Sequence, residues 1–176
     1  FAKKMSKTWI QTIIWTQSHV KLCDTIVWLP LFALDAEGYK RISKRASRSF
    51  LENDKHSDPH GDCNDLLENN DGVAIFSGTV IGLFCSLFNK GKFSEINDLY
   101  SKLKLTFGDR FYIDIQRHKD QNELGFEKFN LKKSSELEIS IIATNEVFYI
   151  NQDMQEAHDA LICIGNKTYI NEKNRK

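Results

Sequence analysis

The sequence predicts an α/β fold in which mostly parallel strands alternate with helices. Three observations carry this. Short apolar runs alternate with stretches of helical spacing, polar residues follow several of the runs directly, and no repeat, low-complexity tract or linker breaks the alternation between about residue 10 and residue 165. One domain is the expected organisation for 176 residues.

The elements follow in order. TIIW (12–15) is a first strand, and TIVWL (25–29) continuing through LFAL (31–34) is a second, with Pro30 marking an edge or a bend. Asp35 caps a helix over 36–50 whose inward stripe is Tyr39, Ile42, Ala46 and Phe50. LENDKHSDPHGDCND (51–65) is turn-rich and reads as a loop. A short helix ends at Leu66 and Leu67, GVAIF (72–76) is a strand, and 80–90 and 93–106 are helices broken at Asn89–Gly91. RFYIDIQ (110–116) is a strand, 121–138 is helical, and 139–143 is a buried strand. Residues 153–164 form a last helix with Met154, Ala157 and Leu161 along one side.

Composition narrows the partners. The 24 basic and 24 acidic side chains cancel, so no global field attracts a polyanion, although a local patch is compatible with this balance. Cys23, Cys63, Cys85 and Cys163 lack CxxC pairing and read as reduced thiols of a cytoplasmic protein. No apolar run reaches the roughly 18 residues of a membrane span, so no membrane partner is expected. The opening FAKKMSK has neither an initiator Met nor a signal-peptide pattern and reads as the middle of a helix, as in a piece of a longer protein.

Most candidate chemistry is weak on spacing. HSDPHGDC (56–63) gathers His56, Asp58, His60, Asp62 and Cys63, but Pro59 and Gly61 disfavour the helix that would set two histidines on one face, and a solvated loop is the plainer reading. GTVIG (78–82) matches no phosphate-binding fingerprint and reads as a strand-to-helix turn. Ser77, Ser86 and Cys85 lack a nucleophile elbow. Arg117 and His118 at a strand end are a candidate phosphate contact. Glu156, His158 and Asp159 share a helix but point in different directions, which favours packing roles.

Four phrases together carry a resemblance: AEGY (36–39), FGDRFY (107–112) followed by IQRH (115–118), ATNEVFY (143–149), and EAHD (156–159) followed by LICI (161–164). In this order and spacing the chain resembles the PHP (polymerase and histidinol phosphatase) domain of bacterial DNA polymerase III alpha subunits. The resemblance implies part of a distorted (β/α)7 barrel. In members with an intact site, strand ends carry a cluster of divalent ions such as Zn, Mn or Mg, and the domain acts as a metal-dependent phosphoesterase and 3′–5′ exonuclease.

Residue by residue, this chain departs from that pattern. The family's HxH and later Asp-His motifs would lie before Phe1. A Glu ligand of the family falls on Gln17, a His on Trp28, a Cys on Thr79, and an Asp and a His on Glu146 and Phe148. Of these only Glu146 retains ligand chemistry, and a single carboxylate does not hold a catalytic cluster. The resemblance therefore implies one partial PHP domain over 1–176, with no metal or other cofactor and no catalytic residue. It would serve as a scaffold beside the remainder of a replicative polymerase subunit and a separate proofreading exonuclease, meeting DNA only through the holoenzyme. Phe148, Trp15 and Trp28 are expected to fill the space the ions vacate. Two alternatives stay open: a phosphoesterase with a rearranged site (Glu146 with His118, Asp114 and the His56/His60 loop), and a split-gene remnant without independent function.

Overall fold

The computed structural model describes residues 13–22, 25–53, 57–80, 82–118, 121, 123–145 and 147–172. Among these residues six strands form one mixed sheet: β1 (Ile14–Leu22), β2 (Thr25–Ala33), β3 (Gly61–Asp62), β4 (Val73–Phe76), β5 (Phe111–Ile115) and β6 (Ser140–Ala143), in the order β3-β1-β2-β4-β5-β6. The helices are α1 (Ala36–Leu51), α2 (Cys63–Glu68), α3 (Leu83–Asn89), α4 (Phe93–Phe107), α5 (Glu123–Leu137) and α6 (Gln155–Asn166).

Only β2 runs against the others. It pairs antiparallel with β1 and β4, while β1–β3, β4–β5 and β5–β6 are parallel. Five strands therefore end at the same side of the sheet, and β4 to β6 with their intervening helices are the parallel βαβ units that the sequence predicts. The sequence reading missed the length of the hairpin. β1 continues through Gln17, His19 and Lys21 to Leu22, in register with β2 from Ile14↔Ala33 to Leu22↔Thr25. Pro30 lies one residue beyond the last β2 residue that β4 pairs, Leu31, where β2 has a single partner, as an edge-seeking proline requires.

The two sheet faces differ. Val20, Val27, Leu29, Leu31, Ile75 and Ile113 face the helices and join Ile42, Phe84, Tyr100 and Phe107 in one buried core. The opposite face carries a row of rings across four strands: Trp15 on Phe32 (5.9 Å), Phe32 on Phe76 (4.1 Å) and Phe76 edge-on to Tyr112 (5.5 Å).

Helix α1 begins as the sequence predicts, with the Asp35 carboxylate accepting the Gly38 N–H at 2.8 Å. Its inward stripe differs from the prediction. Gly38, Ile42 and Arg45 are buried, whereas Tyr39, Ala46 and Phe50 are exposed. Gly38 sets this rotation, because a Cβ there would overlap the Gly72 carbonyl, and α1 approaches the start of β4 backbone to backbone. The loop expected over 51–65 contains β3 and the start of α2, which Asp62 caps through the Asn64 N–H (2.9 Å). Strand β6 is largely exposed because it is the edge of the sheet, not a buried strand.

The chain divides into two compact units, Phe1–Thr144 and Asn145–Lys176. In the second, a 3-10 turn (Gln152–Met154) leads into α6, and Phe148 and Tyr149 lie 5.3 and 5.6 Å from the His158 ring. The expected inward stripe of α6, Met154, Ala157 and Leu161, is exposed. Cys63, Cys85 and Cys163 are thiols, and no helix among the described residues is long and apolar enough to cross a membrane.

Candidate functional site

Parallel strands present their C-terminal ends together, and in α/β proteins those ends carry the chemistry. At this end the β1–β2 hairpin extends past β4. Gln17 is paired with Pro30 and Trp28 with His19, all four on the ring-bearing face, and the His19 and Trp28 rings meet edge-on at 3.8 Å. After β4 the chain turns at Gly78, which has a φ of +77° and packs beside Pro30 and the Trp28 carbonyl. That turn delivers Thr79. The fold thus collects Gln17, Trp28 and Thr79 on neighbouring segments at one end of the sheet, and none of the three carries a carboxylate, imidazole or thiolate.

Thr79 borders a narrow cavity of about 20 Å³, also lined by Asp114, Gln116, Glu123 and Asn130. This is room for about one water molecule. Around it a chain of hydrogen bonds ties the strand ends. Gln116 Nε2 donates to Thr144 Oγ1 (2.6 Å), and the Thr144 hydroxyl donates to Asp114 Oδ1 (2.6 Å). The Asp114 N–H donates to the buried Ser77 Oγ (3.0 Å). The His118 ring lies 3.1 Å from Gln116 Oε1, and its backbone N–H donates to Glu123 Oε1 (2.6 Å). Below them the Tyr100 hydroxyl donates to Asn130 Oδ1 (2.7 Å), and burial pushes the Tyr100 phenol well above its ordinary pKa. Sequence reading named Asp114 and His118 but missed this network. Thr144 and Gln116 are ordinary polar residues until the β5–β6 register brings them together, as is Glu123 until the start of α5 sets it against the His118 N–H.

The remaining candidates fall elsewhere. Arg117 is engaged by Glu127 through two bonds (Nε to Oε2, 3.1 Å; Nη2 to Oε1, 2.6 Å), which hold the Glu127 carboxyl below its usual pKa and raise that of Arg117. A phosphate would have to displace that carboxylate. Ser77 and Cys85 are fully buried, out of reach of a substrate. His60 adjoins β3 and Asp114 lies on β5, with three strands between them in the sheet order. Glu146 and His56 lie outside the described residues. Phe148 is 66% exposed, Trp15 52% and Trp28 42%.

A catalytic zinc ion is held by about three protein donors, and magnesium by one or two carboxylates with waters. Among the described residues no group of three or more His, Cys, Asp or Glu could hold a metal ion, and the rim offers an amide, an indole and a hydroxyl where ligands would stand. Among the described residues the donor set at the rim does not fit the ions.

The comparisons agree with the architecture. The PHP domain family model matches residues 1–118. The chain is 37% identical over 137 residues to the DNA polymerase III subunit alpha of Rickettsia bellii, covering 76% of this chain and 11% of that protein. It is 28% identical over 148 residues to the Caulobacter vibrioides subunit (84% and 13%), and 32% identical over 156 residues to that of Rickettsia conorii (85% and 13%). The chain thus spans only about an eighth of the length of these curated relatives. With two thirds of its residues matched by the family model, and its parallel strands ending at a common rim, the chain belongs to the PHP domain family.

Proposed function

We propose that this chain is a PHP module whose metal site has lapsed and which serves replication as a non-catalytic scaffold within a DNA polymerase III alpha-type subunit. The donor chemistry of the strand-end rim carries the reading. Gln17, Trp28 and Thr79 stand where family ligands are expected, and the nearby carboxylates are used structurally, Asp114 by Thr144 and Glu123 by the His118 backbone. Hydrogen bonds of this kind lock strand ends and do not generate hydroxide.

A scaffold also needs surface to offer. The row from Trp15 to Tyr112 lies on the face away from the helices, with Trp15 and Trp28 substantially open. The proposed occupant is the remainder of the polymerase polypeptide, and a separate proofreading exonuclease is the partner for the 3′–5′ activity this module lacks. The rearranged-site phosphoesterase finds no support in the separation of His60 from Asp114.

The test is manganese- or magnesium-dependent release of nucleotides from the 3′ end of a DNA strand by the purified chain. The scaffold reading expects none above a metal-free control. Release that disappears in Glu146→Ala would establish the phosphoesterase instead.

A further inference from the structure

Helix α5 buries Glu123, Phe126 and Asn130, at spacings of three and four that bring them to one face. Hydrocarbon is the ordinary filling of such a face. Here two of the three are polar, with Glu123 6% exposed and Asn130 1%. Burying a polar group is costly unless its atoms find partners.

The protein uses only half of each side chain. The Tyr100 hydroxyl has one hydrogen and gives it to Asn130 Oδ1 (2.7 Å). The other end of that planar amide, Nδ2, carries two hydrogens and has no partner among the described residues. In Glu123, Oε1 takes the His118 N–H (2.6 Å), and Oε2 has neither a hydrogen bond nor an ion pair among the described residues. Neither Nδ2 nor Oε2 is sealed against protein. Both residues line the cavity of about 20 Å³ at the end of β5, so an unused donor and an unused acceptor open on the same space.

The walls select the occupant. The volume holds about one non-hydrogen atom, which excludes a magnesium ion with the several waters it keeps. A bare cation would have the Asn130 N–H groups aimed at it, and an anion would face the Asp114 and Glu123 carboxylates. Ammonium only donates and leaves Nδ2 unanswered. Water accepts from Nδ2 and donates to Oε2, with the Thr79 hydroxyl and Asp114 as further partners on the wall. That is the two to four bonds a buried water makes.

We infer that this cavity is a binding site for one ordered water molecule, held between Asn130 Nδ2 and Glu123 Oε2 and closed to ions. The water completes a polar circuit. It links the Tyr100–Asn130 pair to Glu123 and His118, and through Gln116 and Thr144 to Asp114. Such a circuit fixes α4 and α5 to the ends of β5 and β6.

Crystals of the 176-residue chain that diffract well enough to show ordered solvent test the assignment. One fully occupied peak is expected at about 2.7–3.2 Å from both Asn130 Nδ2 and a Glu123 carboxylate oxygen. Soaking in rubidium or manganese chloride is expected to leave the cavity without an anomalous signal. Absence of the peak, a peak at roughly 2.0–2.5 Å from the carboxylates, as a coordinated cation sits, or an anomalous signal after either soak overturns the assignment. In solution the same water is read as a nuclear Overhauser contact from the Asn130 side-chain amide hydrogens to solvent, with the sign of a long-lived complex. A contact with the sign of fast exchange overturns it equally.

Discussion

Asp65→Asn isolates the ionic cluster that anchors α1 to α2. In the native protein one carboxylate serves two guanidinium groups, at 3.0 Å from Arg45 and 3.1 Å from Arg48. The two arms differ in weight. Arg45 is only 7% exposed, and burial lowers its pKa against the opposing pull of Asp65, so that carboxylate is the main compensation for its burial. Removing one member of a buried pair costs about 3–5 kcal/mol. Asp65 is itself 23% exposed, and Arg45 keeps a 3.4 Å contact with the Asp62 carbonyl, so the loss here is placed at about 2–3 kcal/mol. The Arg48 arm is solvent-exposed and retains Glu52, so it adds little. For 176 residues this corresponds to a Tm fall of roughly 5–10 °C. Thermal unfolding followed by circular dichroism measures it, with Arg48→Ala expected to shift Tm much less. A Tm for Asp65→Asn within about 1 °C of the parent would refute the ranking of the two arms.

Two further outcomes follow from buried groups and from the rim. Tyr100→Phe removes the hydroxyl that donates to Asn130 Oδ1 in the core and should cost about 1–3 kcal/mol in denaturant unfolding. Because burial raises the Tyr100 pKa in the folded state, its contribution is complete below the unfolded phenol's value of about 10 and is lost as pH rises beyond it, so the parent should weaken in alkali more steeply than Tyr100→Phe. Phe148→His should not restore metal binding, since Gln17, Trp28 and Thr79 remain non-ligands; stoichiometric uptake by this single variant in a zinc titration would reveal a better-preserved rim.

Local signals located most elements, and the failures have physical causes. Asp35 marked the start of α1, and Asn89–Gly91 the break before α4, because caps and turns use few residue types. The second half of β1 was missed because Thr16 and Ser18 face the core where an alternating strand would show apolar side chains. The stripe of α1 was misjudged because a glycine and an arginine occupy its buried face: Gly38 for close approach to Gly72, Arg45 for Asp65. Neither registers as hydrophobic. At the rim, the resemblance pointed to Gln17, Trp28 and Thr79, and the fold collects them. The Asp114–Thr144–Gln116 chain depends on parallel pairing of β5 with β6, whose register no local pattern encodes.

Elemental analysis by plasma mass spectrometry, on the chain purified without chelator and dialysed against metal-free buffer, asks whether the strand-end rim binds a metal cluster. Zinc, manganese and iron are each expected far below one equivalent per chain; one or more equivalents of any of them, retained through dialysis and lost in Glu146→Ala, would show that the cluster survives.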